Sequence, residues 1–351
     1  MAGAVAAGQA QTVLGPVAGE ALGVTLSHEH LLIDFSLMFV EPPEAAAKGL
    51  ALAPVSLANL GWVRYHYNRN LDNLRLTDEA TACGEARLLR LAGGQTLVDP
   101  TNCGLARDPA ALARIARATG LHIIMGSGYY VDAAHPPDMG QKSVEAIARE
   151  IVDDVSLGAG ETGVRAGLIG EIGCSWPWTP NEQKSVRAAV LAQRETGAPL
   201  MIHPGRHSRA PFEVLDAVRR EGGDLTRTIM CHIERTITDE RQLLDLAATG
   251  CYLEYDLFGE ESSYYPYNPA IDMPNDAGRM DQVLRLAEAA HLRQLLLSHD
   301  IAYKHRLTRY GGHGYHHLLV NVVPRLRRKG ADDATLHALL VENPRRAFTF
   351  V

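Results

Sequence analysis

The chain has 351 residues, of which 46% are hydrophobic and 21% charged, and its formal net charge is -7. That balance describes a folded protein of enzyme size, not a disordered chain, and the acidic excess excludes a dedicated nucleic-acid binder, which needs a basic face. Five scattered cysteines with no Cys-x-x-Cys pair exclude a disulfide framework and point to a cytoplasmic setting.

The first residues, Met1 to Gly8, are small and apolar but lack the basic start and long apolar core of a signal peptide. No run approaches the ~18 apolar residues of a membrane span. Residues 1–20 are expected to form a small hairpin, and residues 21–351 a barrel, as one domain. Eight short apolar runs ending in polar residues then follow: Val24 to His28, Thr96 to Thr101, His122 to Gly128, Ala166 to Gly173, Pro199 to His203, Thr228 to His232, Cys251 to Phe258 and Gln294 to Asp300. Runs apolar on both faces suit parallel strands covered by helices.

Between them lie segments of helical period with clear punctuation. Asp108-Pro109 reads as an N-cap followed by a first-turn proline, and Gly120 closes that helix. Ser143 opens a helix with Val144, Ile147, Ile151 and Val155 on one face. Thr179-Pro180-Asn181-Glu182 is a capping box, and Gly250 follows a helical segment as its terminal glycine. Further helical stretches fall near 210–221, 276–290 and 316–328. Eight strand–helix units in this length predict an α/β fold, a (β/α)8 TIM barrel. An open doubly wound sheet is the other arrangement, but no Gly-x-Gly-x-x-Gly opens the chain. Residues 36–76 form a long aromatic-rich connection after the first strand, a lid or a packing ornament.

Barrel active sites lie at the C-terminal ends of the strands. Reading those ends gives His28 and His30, Glu171, His203, His232 and Asp300. Side chains alternate along a strand, so His28 and His30 share a direction and Glu29 takes the opposite one. Each residue alone has a structural explanation. Together, four imidazoles and two carboxylates are enough for two divalent cations. The expected division puts His28, His30 and Asp300 on a buried ion, His203 and His232 on a more exposed one, and Glu171 between them. Water activated between the ions is then the nucleophile, and Asp300 takes its proton. Zinc is the default ion for such a site, with manganese, cobalt or iron as other occupants.

Several stretches are recognisable: Gln11 to Gly15, Leu26 to Leu31, Gly170 to Pro177, Ile202 to Arg206, Tyr252 to Gly259, Tyr310 to Tyr315 and Glu342-Asn343-Pro344. In these motifs, and in ligand order, nearly the whole chain resembles the phosphotriesterase family of the amidohydrolase superfamily, and within it the phosphotriesterase-related branch. The resemblance implies the barrel and a binuclear metal-dependent hydrolase. Founding members hydrolyse organophosphate triesters and relatives are lactonases. Their bridging carboxylated lysine is replaced here by Glu171, and the shorter bridge requires closer approach of the fourth strand, which Gly170 and Gly173 permit. The branch implies hydrolysis of N-acetyltaurine to taurine and acetate. A lactonase or organophosphate esterase is the alternative, and a metal-holding binder without turnover is a third reading.

An anionic substrate tail needs cationic donors on the catalytic face. Arg206 and Arg209 follow the fifth strand, and Lys304 and Arg306 the eighth, with Arg209 or Lys304 favoured as the anchor. The resemblance also implies that Tyr130 faces the metals. Asp99 and Thr101 are read as partners of the metal histidines. The expected partner is a small-molecule substrate, with no nucleic acid and no membrane; a homodimer remains open.

Overall fold

The computed structural model describes residues 5–351, so residues 1–4 of the expected hairpin lie outside the described residues. Strands β1 (Gln9–Thr12) and β2 (Gly15–Ala18) pair antiparallel and form that hairpin. Strand β3 (Thr25–Leu26) is followed by a two-stranded antiparallel ribbon, β4 (Ile33–Asp34) with β5 (Arg75–Leu76). Then come β6 (Thr96–Asp99), β7 (His122–Ser127), β8 (Leu168–Gly173), β9 (Leu200–His203), β10 (Thr228–Met230), β11 (Tyr252–Tyr255) and β12 (Leu295–Leu297). The eight strands β3 and β6 to β12 lie in chain order in one parallel sheet, with helices between them: a (β/α)8 barrel. Each strand falls inside the run read from the sequence. They are shorter because His28, His232 and Asp300 have left the ladder.

The barrel closes without a ladder between β12 and β3. The Ser27 hydroxyl donates to the Leu297 carbonyl (3.2 Å), the His28 amide to the Ser298 hydroxyl (3.0 Å), and the Asp300 amide to the His28 carbonyl (3.1 Å). The seam therefore joins residues about 270 apart in sequence.

Alternation sorts the strand residues. Val98, Ile124, Leu168, Met201, Ile229 and Leu296 form one buried cluster with Ala10 of the hairpin and Phe348 near the C-terminus. Ile123, Ile169, Leu200, Ile202, Leu253 and Leu297 belong to the larger cluster that includes the helices. The first set fills the interior, and hairpin and C-terminal residues pack against it. Polar ligands are thus confined to the other end.

The helix signals act as read. The Asp108 and Ser143 side chains accept amides at their N-termini, Gly120 adopts the left-handed conformation, and Thr179 with Glu182 makes the reciprocal box. Gly250, with φ 90°, follows helix Glu240–Ala247. The long connection holds two short helices, Lys48–Leu52 and Leu60–Tyr65, between β4 and β5. Near its end, Asn73 accepts the Lys304 amide and the His305 amide, tying it to the segment after β12. All five cysteines are free, and no helix among the described residues is long and apolar enough to cross a membrane.

Candidate metal centre

Glu171 stands in the middle of the expected ligand set. Its Oε1 is 3.7 Å from His28 Nε2 and 3.6 Å from His30 Nε2, while its Oε2 is 2.9 Å from His203 Nδ1 and 3.3 Å from His232 Nε2. Asp300 Oδ1 lies 3.6 Å from His28 Nε2 and 3.2 Å from His30 Nε2. One carboxylate oxygen thus faces each pair of imidazoles, and Asp300 joins the first pair.

Strand β8 makes this reach by bulging. Its pairing with β9 shifts register between Ile169 and Ile172, and such a bulge re-aims the side chains it carries. A Cβ on Gly170, which has φ +127°, would lie 2.3 Å from the Met201 carbonyl oxygen; one on Gly173 would lie 2.2 Å from the Val131 nitrogen. Neighbouring backbone packs against both positions too closely for any side chain, so each requires glycine.

The ligand rings are held from behind. His28 Nδ1 donates to Glu254 Oε2 (3.1 Å), and His232 Nδ1 donates to Asp256 Oδ1 (2.8 Å). His30 Nδ1 is 2.7 Å from the Thr101 hydroxyl. Asp99 acts one step further out, accepting the amides of Leu31 and Thr101. These bonds leave Nε2 of His28, His30 and His232 aimed inward. His203 is reversed: Nδ1 faces Glu171, and Nε2 lies 3.1 Å from Arg235 Nη2.

Two ligands sit on left-handed backbone, His232 at φ 54° and Asp300 at φ 49°. Such non-glycine conformations persist only where the surroundings dictate them. For His232 the holder is Asp256, which accepts both the backbone amide (3.0 Å) and the ring. For Asp300 it is Glu29, buried with its side chain turned away from the centre. Glu29 accepts the amides of His299 and Ile301 on either side, and its Oε1 is hydrogen-bonded to the Ser298 hydroxyl and His299 Nδ1.

The residues fit divalent cations. Four carboxylates, Glu171, Glu254, Asp256 and Asp300, converge around the rings, and buried His28 Nε2 has no hydrogen-bond partner. Burial works to raise the Glu171 carboxyl, but the imidazoles of His28 and His203 outweigh it and hold it well below its usual range. Burial likewise disfavours a proton on His28, yet Glu171 pushes its pKa well above the ordinary value. His232 is raised to about 9, burial being outweighed by Asp256, and Asp300 is lowered to about 2 by the His30 hydrogen bond and the nearby rings against the effect of burial. Positive charge is what this pocket demands, as protons or as metal. Exchanging Asp256 for Asn removes the charge that fixes the His232 tautomer. Metal affinity is expected to fall about 10- to 100-fold, as read by competition with a chelating dye.

The expected substrate residues separate. Tyr130 lines the cavity over the centre, its hydroxyl 3.3 Å from His203 Nδ1; burial, then Glu171, raises this phenol well above its ordinary pKa. Arg206 also lines the cavity. Arg209 does not: it immediately precedes helix Ala210–Arg220, its side chain is 72% exposed, and it pairs with Glu213 one turn on. Lys304 does not either, because Asp72 of the long connection holds its ammonium at 2.5 Å. The favoured anchors are therefore corrected to a surface helix pair and a tie between loops. Sequence reasoning missed Arg235, three residues after His232, and the wall formed by Tyr265 and Tyr267. Its only trace was the aromatic run Tyr264-Tyr265-Pro266-Tyr267 in a loop.

The sequence matches the Phosphotriesterase family over residues 8–348. It is 44% identical over 344 residues to the N-acetyltaurine hydrolase of Bos taurus, covering 98% of each chain. Among solved structures it is similar to a resiniferatoxin-binding protein from Rhodobacter sphaeroides, with TM-score 0.95, 41% identity and coverage of 99% of this chain and 96% of that one. It is also similar to the phosphotriesterase homology protein from Escherichia coli, complexed with phosphate in the active site, with TM-score 0.75, 29% identity and coverage of 94% and 99%. With the barrel and the ligand order already in place, these matches mean that the chain belongs to the phosphotriesterase family.

Proposed function

We propose that the protein is a binuclear metal-dependent amidohydrolase that cleaves N-acetyltaurine to acetate and taurine. The observation that carries the reading is the placement of Glu171, with one oxygen toward His28 and His30 and the other toward His203 and His232. The full-length likeness to an N-acetyltaurine hydrolase supports the substrate. His28, His30 and Asp300 would hold one ion, His203 and His232 the other, and Glu171 both; zinc suits the donor set. Divalent ions there supply Lewis acidity toward the acyl carbonyl and activate water.

The chain's own groups do the rest. Asp300, ionised through the neutral range, accepts the proton of the attacking water and returns it to the departing amine nitrogen. Water adds to the carbonyl carbon, the C–N bond breaks, and one carboxylate and one amine leave. Tyr130 keeps its phenolic proton and offers it beside His203 as a donor to the substrate. The walls around the site, including Phe35, Tyr67 and Tyr303, keep bulk water out.

Zinc-loaded protein should release taurine from N-acetyltaurine, measured by amine derivatisation, and lose that activity on chelation. An acyl-homoserine lactone and an aryl phosphotriester are assayed beside it. A higher kcat/KM for either of those substrates would replace the amidase reading.

A further inference from the structure

The cavity contains three guanidinium groups, and two are committed. Arg306 pairs with Glu260 at 3.0 Å and donates to the carbonyls of Phe258 and His299. Arg235 donates to the Pro204 carbonyl and lies 3.1 Å from the His203 ring, and its Nη1 donates to Thr236. Arg206 differs. Its Nε donates to the Tyr265 hydroxyl at 2.7 Å, and its guanidinium carbon lies 4.8 Å from the centre of the Tyr267 ring. Among the described residues no carboxylate pairs with it, and its two terminal nitrogens make no hydrogen bond. Arg206 is partly buried, so its unpaired terminal nitrogens open onto the cavity, and contact with the ring faces does not replace a counter-charge. The missing partner is an anion that enters the cavity.

We infer that Arg206, with the phenols of Tyr265 and Tyr267, binds the charged tail of the substrate and selects N-acyl amines ending in a sulfonate over those ending in a carboxylate. The inference rests on the amide-cleaving centre proposed above. Its chemistry lies in the donor count. The Tyr265 oxygen accepts from Arg206, which leaves its own proton to donate elsewhere. The Tyr267 and Tyr303 hydroxyls, 3.0 Å apart, share one hydrogen bond and have one O–H left between them. Two terminal N–H groups of a guanidinium satisfy the two coplanar oxygens of a carboxylate. The phenol donors come from a different loop, after β11, and meet the third oxygen that only a tetrahedral sulfonate has.

The test uses the zinc-loaded protein with N-acetyltaurine, its carboxylate counterpart N-acetyl-β-alanine, and uncharged N-ethylacetamide. Arg206→Met should cut kcat/KM for N-acetyltaurine at least about 10- to 150-fold, mostly through KM, since even one of its two hydrogen bonds to a charged group accounts for that range. The preference for N-acetyltaurine over N-ethylacetamide should fall by the same factor. Tyr265→Phe should bring the sulfonate and carboxylate substrates closer together, while Arg209→Met, on the surface, leaves all three unchanged. Binding of ethanesulfonate, followed by calorimetry, reads the tail site without any turnover. Should Arg206→Met fail to fold, Arg206→Lys keeps the charge without the fork and should weaken ethanesulfonate binding several-fold. Unchanged ethanesulfonate affinity in a folded Arg206 variant overturns the inference. If the wild-type protein binds ethanesulfonate but does not turn over N-acetyltaurine, the proposed reaction fails while the tail site stands.

Discussion

Glu171→Gln should lower kcat/KM about 1000-fold or more and sharply reduce the metal retained after dialysis. The side chain keeps its shape in that exchange, so the effect isolates its charge. Both oxygens of Glu171 face imidazoles, at 3.6 and 3.7 Å on one side and 2.9 and 3.3 Å on the other. A glutamine turns its NH2 toward one of the two sides, and that side then loses an oxygen donor. It also removes one negative charge from a buried set, where charge is poorly screened. Loss of a single support behind a metal ligand already costs 10- to 100-fold, and loss of a group at the reacting centre 100- to 1000-fold. In the proposed centre Glu171 serves both ions, which puts its loss above both ranges. Elemental analysis of the dialysed protein and single-substrate kinetics check the two halves separately. Full metal content with unaltered kcat would remove Glu171 from the centre.

Glu29→Ala should destabilise the fold by about 3–5 kcal/mol and disable the folded fraction. The residue touches no substrate. It is completely buried, and it accepts the amides of His299 (3.0 Å) and Ile301 (3.1 Å) and hydrogen-bonds the Ser298 hydroxyl (2.8 Å). Truncation leaves two backbone N–H groups without partners inside the protein, at about 1–3 kcal/mol each, and opens a void as well. Those amides flank Asp300 and its left-handed backbone. A shift in the urea midpoint at constant slope measures the first effect, and kcat of the refolded protein the second. Breaking the exposed Arg209–Glu213 pair, in contrast, should cost no more than about 0.5 kcal/mol.

The barrel was legible because each strand is a short apolar run that ends in polar residues, and only a sheet covered on both faces asks for that. The convergence of His28, His30, Glu171, His203, His232 and Asp300 was legible for the same reason: they are the polar ends. Even the direction of Glu29 followed from period two. Residues brought together by loops were not. Lys304 looked like a free cation at a strand end, but its partner Asp72 is 232 residues away, and local sequence carries no sign of that pairing. Arg209 was misread although Glu213, four residues on, is the spacing of a surface helix pair. Arg206 differs from both only in what folds over it, and Tyr265 and Tyr267 come from a loop with no periodic pattern to aim them. The connection at 36–76 contributes both to the cavity wall and to the surface. Tyr67 lines the cavity, while half-exposed Tyr65 stacks on Tyr264 at 4.5 Å.

The seam between β3 and β12 has a consequence for the order in which the protein is made. Synthesis delivers His28 and His30 almost at once, yet Asp300 and the serine that receives the His28 amide come some 270 residues later. Glu171, His203 and His232 are all present well before then. In the proposed two-ion centre, Glu171, His203 and His232 would already be available to a nascent or prematurely terminated chain, whereas the set that includes Asp300 would be complete only when the last strand docks against the first. A ribosome-bound series of increasing length should complete that set only after residue 301 has left the exit tunnel.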